Sequence, residues 1–266
     1  MRRLVALTIA GSDSGGGAGI AADLKTFQAY GVWGTVAVTA VTAQNTLGVQ
    51  AYDPVTPELV RAQIASVMSD IGVDAAKTGV LPTADVVEAV ASTLVELGAP
   101  PLVVDPVAVS TQGHRLAGDE VVDRVRALLV PLATVVTPNL AEAAALTGMP
   151  IVDRAGMEVA AQALVGLGAQ AVLLTGGHLD GESSPDCLVV GGADGGAMWL
   201  EAERLGSQHT HGTGCVLSAA ICAGLARGTA IADACVAAKR FVEQAIRAGV
   251  ELGSGPGAVD PGNAGA

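Results

Sequence analysis

The chain has 266 residues, with 26 acidic and 14 basic side chains and a net charge of −12. Half of the residues are hydrophobic, but Trp, Tyr and Phe number two each, so aliphatic residues and alanine must form the core. This composition excludes a disordered chain, and the length suits one large α/β domain or two small domains. The negative charge argues against a nucleic-acid or anionic-membrane partner, and the few aromatics argue against base stacking.

The N-terminus and the cysteines favour a cytoplasmic location. The apolar run at residues 4–10 is too short for a signal peptide and leads into Gly11, which favours a buried first strand. No run approaches the ~18 apolar residues that a membrane helix needs. The four cysteines (Cys187, Cys215, Cys222 and Cys235) show no metal-binding spacing and do not suggest a disulfide framework. We therefore expect reduced thiols and no membrane association.

Short apolar runs rich in β-formers alternate with helical patterns along most of the chain. Strands are predicted at residues 4–10, 35–41, 102–104, 134–137, 171–174, 187–190 and 197–200. Several of these runs are continuously apolar, as is typical of strands that are covered on both faces of a parallel sheet.

Helices are predicted between these strands. The first contains residues 20–27, the second begins at Thr56-Pro57, and the third begins after Thr83 and ends at Gly98. Later helices are predicted at residues 120–129, 140–146, 156–167, 214–226 and 231–248. The alternation predicts a doubly wound α/β fold, with one domain at residues 1–252 and a flexible, Gly/Pro/Ala-rich tail at residues 253–266.

Three motifs carry candidate chemistry, and the first is the glycine cluster at residues 11–19. It lacks the Gly-Lys-Ser/Thr of a Walker loop and the third glycine of a Rossmann turn. It can be a turn that needs positive φ angles, or a crowded turn at the carboxyl edge of a parallel sheet where a ligand approaches the backbone. The location favours a ligand of open identity.

The second motif is Asn139 followed by Glu142, between a strand and a helix. The pattern is typical of a capping box, in which Asn is the N-cap residue and Glu stands three residues later. The alternative is that both side chains orient a Mg²⁺–water network around phosphates. One geometry can serve both purposes.

The third motif, HTHGTGC at residues 209–215, precedes an apolar helix. Gly212, Thr213 and Gly214 leave backbone N–H groups free at a helix N-terminus, which suits an anion. Cys215 stands where the same terminus would stabilise a thiolate, whereas Cys222 and Cys235 fit the pattern of small buried hydrophobes. The two histidines alone are a weak metal signal.

Together with three further segments, these motifs resemble the hydroxymethylpyrimidine and phosphomethylpyrimidine kinases of thiamine synthesis, in the ribokinase-like superfamily. The segments are AGSDSGGGAGI (10–20), AVTAQNT (40–46), KTGVL (77–81), VDPV (104–107), TPNLxE (137–142) and HGTGC (211–215). The resemblance runs from about residue 4 to about residue 248, and the first and last motifs are highly specific together.

The resemblance implies a ribokinase-like fold, in which a mostly parallel central sheet is flanked by helices on both faces. ATP and the acceptor alcohol would meet at the carboxyl edge of that sheet. The pyrimidine would lie near Gly11, Asp23, Gln44, Val80 and Val107, with Gln44 hydrogen-bonded to the ring. The first glycine cluster would therefore belong to the acceptor side.

The resemblance also implies the nucleotide side of the site. It would consist of Asn139, Glu142, the turn from Thr175 through Gly177 to residue 178, His211 and the residues from Gly212 to Gly214. Asp105 and Glu142 would organise Mg²⁺, mainly through water, and a monovalent cation is a further option.

The expected mechanism follows from the physics of phosphoryl transfer, which needs positioning and charge stabilisation. The amides of Gly212, Thr213, Gly214 and Cys215 would stabilise the transferring group. Cys215 would accept the proton of the hydroxyl group, at the position where most ribokinase-like enzymes carry an aspartate. A second step onto the monophosphate, which needs no alcohol proton, is expected by resemblance alone.

The sequence departs from the family pattern at three positions. Thr175 stands where the family usually carries lysine, and Lys77 is one cation that could compensate. Val80 and Ala108 stand where methionine is common. The first change bears on nucleotide affinity, and the other two bear on the shape of the pyrimidine pocket.

Two alternatives stay open. One is a pyridoxal-type kinase of the same superfamily, and the other is a non-catalytic pyrimidine-binding protein derived from such a kinase. The family also suggests a homodimer, and the sequence leaves open whether a flap after residues 44–46 closes over the substrate.

Overall fold

The computed structural model of the chain describes residues 2–107, 118–177, 179, 181–192 and 196–264. The strands within these residues are β1 (Val5–Ala10), β2 (Trp33–Val38), β3 (Ala40–Asn45), β4 (Gly48–Pro54), β5 (Ala75–Thr78), β6 (Leu102–Val104), β7 (Val135–Val136), β8 (Ala171–Thr175), β9 (Asp186–Val190) and β10 (Ala197–Leu200). The helices are α1 (Gly19–Ala29), α2 (Pro57–Asp70), α3 (Ala84–Leu97), α4 (Asp119–Arg124), α5 (Leu140–Thr147), α6 (Arg154–Gly166), α7 (Thr213–Ala226) and α8 (Ile231–Arg247).

The central sheet of the described chain has eight strands in the order β10-β9-β8-β7-β6-β5-β1-β2. Pairing is parallel from β2 to β8 and antiparallel at β9 and β10. Strands β3 and β4 form a separate antiparallel hairpin. The mostly parallel sheet that the sequence predicts is confirmed.

Helices cover both faces of the sheet and divide the core into two clusters. Buried residues of α2 to α6 pack on one face, and buried residues of α1, α7 and α8 pack on the other. Every residue of α7 from Val216 to Ala226 is buried, because this helix lies against α1, α8 and the strands β1, β5 and β6. This packing fixes the N-terminus of α7 at the middle of the sheet's carboxyl edge.

The predicted helix boundaries rest on capping chemistry that the structure confirms. The side chains of Thr56 and Thr83 accept hydrogen bonds from backbone N–H groups in the first turns of α2 and α3. Gly98 ends α3 with a φ of 77°, in the left-handed region that glycine adopts without strain. The helix predicted at residues 120–129 is α4 together with a π-helical turn, Val125–Leu129.

Two strand predictions need correction. The strand predicted at residues 35–41 ends at Val38, and the chain enters the hairpin after Thr39, whose N–H donates to Ala10 O at 3.0 Å. The strand β5 was not among the predicted strands because its four residues include Lys77, which looks polar in sequence but is fully buried.

The flexible tail predicted at residues 253–266 is wrong for its central part. Ala258 and Val259 are buried, Val259 N donates to His211 O at 3.1 Å, and Asp260 N donates to Ala245 O at 3.0 Å. Backbone hydrogen bonds to the 211 turn hold the segment, and its small side chains let it lie close to that turn. Residues 265–266 lie outside the described part.

None of the described helices combines the length and the apolar character that crossing a membrane requires.

Candidate active site

The carboxyl ends of β1, β5, β6 and β7 meet beside the N-terminus of α7. Parallel strands place the loops that follow them on one edge, which is where ligands bind in open α/β sheets. The loops that follow these strands carry Gly11, Val80, Asp105 and Asn139, and the turn into α7 carries residues 211–215. Most of the predicted site residues are thereby brought to one edge.

Asp13 organises the first glycine cluster, and the sequence analysis did not single it out. Its Oδ1 accepts the N–H of Gly15 at 2.8 Å, and its Oδ2 accepts the N–H groups of Gly17 at 3.1 Å and Ala18 at 2.8 Å. Burial would raise the pKa of Asp13, but the hydrogen bonds from His211 and from these amides lower it below 3.8. An acid placed two residues before a glycine run was the available signal.

His211 lies against this carboxylate. Its Nε2 is 2.8 Å from Asp13 Oδ2, and both residues are buried. Its backbone N–H donates to Gly257 O, and its carbonyl accepts the N–H of Val259. His211 is predicted to bind the nucleotide. In the structure its Nε2 and its backbone groups have partners inside the protein, whereas its Nδ1 is buried and has no partner among the described residues.

The first glycine cluster and the turn before α7 approach each other too closely for side chains. A Cβ on Gly17 would lie 2.5 Å from Cδ2 of His211. Gly212 has a φ of 87°, and a Cβ there would overlap the carbonyl oxygen of Gly17. Gly16 and Gly19 have positive φ angles, as the interpretation of the first cluster as a turn requires. The loop also lies at the carboxyl edge, as the interpretation as a ligand site requires.

The start of α7 offers an anion site that is smaller than predicted. Among the described residues, the amides of Gly212, Gly214 and Cys215 donate to no protein group. The amide and the hydroxyl of Thr213 both donate to Thr210 O, at 3.3 and 2.6 Å, so the Thr213 amide is already used. Gly214 is exposed, and a Cβ there would meet no atom within 4 Å. Three N–H groups at the positive end of a 14-residue helix therefore remain for a ligand.

Cys215 is the one cysteine of the four that is not buried. Burial nevertheless raises the pKa of its thiol to about 12, and the carboxylates of Asp23 and Asp105 add to that effect. The ammonium of Lys77 and the N–H of Gly19 act in the opposite direction without compensating. The sequence predicts a thiolate, whereas burial favours the thiol in the ligand-free protein, because the ammonium of Lys77 and the N–H of Gly19 do not compensate for desolvation.

Lys77 and Asp23 form a buried ion pair below the site. Lys77 Nζ lies 3.0 Å from Asp23 Oδ1 and 3.9 Å from Asp105 Oδ2. Asp23 also accepts the hydroxyl of Thr8 at 2.6 Å. Both members of the pair are fully buried. That Asp23 lies near the pyrimidine stays a prediction, and Lys77 is engaged by its ion pair instead of being free to replace the missing family lysine.

Asp105 and Glu142, the predicted Mg²⁺ residues, line one cavity together with Thr78. Ser218 Oγ donates to Asp105 Oδ2 at 2.9 Å. The hydroxyl of Thr78 is buried and has no partner among the described residues. Asp23 and Asp105 face a single ammonium. Burial raises the pKa of both carboxyl groups, and a bound cation would favour their ionised forms.

This set of oxygen donors fits Mg²⁺. The ion prefers oxygen and is commonly held by one or two carboxylates together with substrate phosphates and water. The described residues include no cluster of three or more acidic, histidine or cysteine side chains that could hold a metal ion.

Asn139 and Glu142 form the capping box that the spacing predicts. Asn139 Oδ1 accepts Glu142 N at 3.0 Å, and Glu142 Oε2 accepts Asn139 N at 2.9 Å. Asn139 also pairs with Thr175 in a parallel bridge. The interpretation of this motif as a capping box is confirmed. The bridge to Thr175 joins the motif to the predicted nucleotide turn.

Two cationic side chains, Lys239 and Arg204, lie beside the predicted nucleotide turn at Thr175. Sequence reasoning did not identify either of them. Lys239 Nζ lies 2.8 Å from Asp186 Oδ2, and Asp186 faces Thr175 across the β8–β9 ladder. Arg204 donates to the carbonyl of Gly177 at 2.6 Å. Neither residue lies near Thr175 in sequence, so only the fold could identify them. His178 lies outside the described residues.

On the acceptor side, Gly11, Gln44 and Val80 converge. A Cβ on Gly11 would lie 3.7 Å from Val80 Cβ, and the backbone of Gln44 exchanges two hydrogen bonds with Ser14 Oγ, at 2.7 and 2.8 Å. The side-chain amide of Gln44 bonds to no other described residue, so it can reach a ligand. Val107 lines the cavity of Asp105, whereas Ala108 lies outside the described residues.

Comparison with known proteins relates the chain to a family of kinases. The family profile described as phosphomethylpyrimidine kinase matches residues 13–260. The hydroxymethylpyrimidine/phosphomethylpyrimidine kinase of Streptomyces coelicolor is 50% identical over 256 residues, which cover 96% of this chain and 93% of that protein. The protein of the same name from Bacillus subtilis is 45% identical over 252 residues, which cover 95% and 92% of the two chains.

Solved structures are similar over nearly the whole chain. An ADP complex of Bacillus subtilis pyridoxal kinase is 42% identical with a TM-score of 0.90, covering 98% of both chains. The phosphomethylpyrimidine kinase of Clostridium difficile is 38% identical with a TM-score of 0.81, covering 92% of this chain and all of that one. The ribokinase-like fold is thereby confirmed, and the chain belongs to the phosphomethylpyrimidine kinase family.

Proposed function

We propose that the chain transfers the γ-phosphoryl group of ATP to the hydroxymethyl group of 4-amino-5-hydroxymethyl-2-methylpyrimidine, and then to the resulting monophosphate, in thiamine biosynthesis. The observation that carries the proposal is the set of free amides at Gly212, Gly214 and Cys215, directly beside the edge that carries Asp105 and Gly11. The kinase names of its relatives support the same reaction.

Positioning and charge stabilisation account for most of the expected catalysis. The three free amides would bind the transferring phosphoryl group, and one such donor is typically worth about 3 kcal/mol. Mg²⁺, held by Asp105 and Glu142 mainly through water, would neutralise charge on the phosphates. On the acceptor side, the Gln44 amide would hydrogen-bond the pyrimidine ring and thereby aim its hydroxyl group.

Cys215 would accept the proton of the attacking hydroxyl. The raised pKa means that the thiol must lose its proton only in the assembled complex. Lys77 and the N–H of Gly19 lower the pKa of Cys215 and so assist that loss. The second transfer, onto a phosphate monoester, needs no such base.

Assembly and location are part of the proposal. Val41, Leu47 and Tyr52 on the β3–β4 hairpin are 57%, 66% and 47% exposed, and an apolar surface of this kind favours a homodimer. The four cysteines are free thiols, which supports a cytoplasmic location.

Phosphorylation of pyridoxal is the second candidate activity. The pyridoxal kinase of Staphylococcus aureus, whose structures include complexes with pyridoxal and with an ATP analogue, is 35% identical with a TM-score of 0.89. The curated relatives named above carry the pyrimidine name and are more similar in sequence.

A parallel assay tests the proposal. ATP turnover is measured with the pyrimidine alcohol, its monophosphate and pyridoxal, and kcat/KM is compared for the three. We expect both pyrimidines to be phosphorylated with the higher kcat/KM. A large preference for pyridoxal would replace the proposal by the second candidate, and tight pyrimidine binding without turnover would indicate a non-catalytic protein.

A further inference from the structure

The turn before α7 and the first glycine cluster meet at three points. His211 Nε2 contacts Asp13 Oδ2 at 2.8 Å. Gly212 approaches the carbonyl of Gly17, and Gly17 lies so close to the His211 ring that a Cβ on it would be 2.5 Å from Cδ2. The turn carries the phosphate-binding amides, and the cluster begins at Gly11 on the acceptor side. These contacts therefore set the distance between the two halves of the site.

The Asp13–His211 pair is the strongest of the three contacts. The Asp13 carboxylate is held by three backbone amides of its own loop, so it has a fixed position. His211 Nδ1 is buried and has no partner in the described chain, so Asp13 is the side-chain partner that orients the ring. A buried polar atom without a hydrogen-bond partner destabilises the folded protein. The presence of His211 Nδ1 next to the site therefore indicates that this histidine has a role other than stability.

We propose that Asp13 and His211 are positioning residues, whose buried pair fixes the phosphate-binding turn relative to the acceptor loop so that the two substrates meet in line. This inference rests on the proposed phosphoryl transfer. Neither side chain touches a reacting atom. Both act through the backbone, Asp13 through the amides of Gly15, Gly17 and Ala18 and His211 through the turn that continues into Gly212.

The test compares His211→Leu with His211→Gln, in which the amide nitrogen of glutamine can stand near the position of Nε2. If the pair positions the two loops, His211→Leu should lower kcat by about 100-fold, because a displacement of bound reactants by about 1 Å lowers the rate by about that factor. KM for ATP and for the pyrimidine should change less than about threefold, since each half still binds its own substrate. His211→Gln should recover most of the lost kcat.

His209→Gln is the matched control, because His209 is two residues away and does not contact Asp13. Its kcat should equal that of the wild type. A kcat that stays at the wild-type value in His211→Leu, whatever happens to the melting temperature, would overturn the inference. The same holds for a KM that rises in step with the fall in kcat/KM.

Hydrogen exchange separates failure of this inference from failure of the proposed function. If the wild type phosphorylates none of the three acceptors, the proposed function fails, and exchange still tests whether the pair couples the two loops. In His211→Leu the amides of Gly15, Gly17 and Ala18 should exchange faster than in the wild type and in His209→Gln. Unchanged exchange at these amides would overturn the coupling.

Discussion

Cys215 combines two properties that act against each other. Its position at the start of α7 favours a thiolate, while the surrounding protein raises its pKa to about 12. In the empty enzyme the group is therefore a thiol. Charge compensation by bound substrates would have to come first, which couples proton removal to assembly of the complex.

Cys215→Ala tests the base role. We expect kcat for the pyrimidine alcohol to fall by about 10²–10⁴-fold, the range of general-base catalysis, while ADP binding measured by calorimetry stays unchanged. Cys222→Ala on the same helix is the control and should keep the wild-type kcat in the folded protein. An unchanged kcat in Cys215→Ala would exclude the base role.

Asp13 makes a pH-dependent contribution to stability. Its folded-state pKa lies below 3.8, so its stabilisation is complete above that pH and is lost as the pH falls through the folded-state value. Asp13→Asn should lower stability by about 2–3 kcal/mol at pH 6, which is about 5–10 °C in melting temperature for a chain of this size.

Calorimetry at several pH values checks this prediction. The difference in melting temperature between wild type and Asp13→Asn should shrink as the pH falls below about 4, the ordinary pKa of an aspartate. Asp53→Asn, at an exposed position on β4, should show no such difference. A difference in melting temperature between wild type and Asp13→Asn that persists or grows at low pH would contradict the lowered pKa of Asp13.

At the scale of elements, the C-terminal segment belongs to the site. Its backbone pairs with the turn at His211, and Ala258 lies beside Gly17. The segment also reaches the hairpin, since Gly255 N donates to Thr46 Oγ1 at 3.2 Å. A segment that the sequence predicts as a flexible tail thus contacts both the turn before α7 and the hairpin.

A chain that ends at residue 252 should lose about 3 kcal/mol of stability, from the burial of Ala258 and Val259 and from backbone hydrogen bonds of the segment. Urea unfolding measures this loss. A chain that lacks only residues 265–266 is the control and should unfold like the wild type. Equal stability of both truncated chains would show that the segment does not hold the turn.

At the scale of the whole molecule, the hairpin presents an apolar surface that the described part of the fold leaves exposed. The central sheet has helices on both faces, whereas β3 and β4 pair only with each other. Sedimentation equilibrium should give twice the chain mass of 26.2 kDa.

Val41→Asp should yield a monomer, because a charge would then occupy the apolar surface. Val152→Asp is the matched control: Val152 is 81% exposed and lies outside the hairpin, so this variant should remain a dimer. A wild-type protein that sediments as a monomer would contradict the proposed dimer.

The sequence by itself determined the fold class and the edge of the sheet that carries the site. The features that determined them act locally: continuous apolar runs, cap residues such as Thr83 and the glycines before α7. Local patterns of this kind can be recognised from the sequence alone. The capping box of Asn139 and Glu142 was predicted for the same reason, because its two partners stand three residues apart.

The tertiary structure alone decided how the ionisable groups are paired. Asp13 meets His211 across 198 residues, and Lys77 meets Asp23 across 54 residues. The pKa of Cys215 depends on burial, and burial depends on every element around α7. Spacing shows which residues can share a turn, whereas desolvation and charge pairing depend on distances that exist only after the chain has folded.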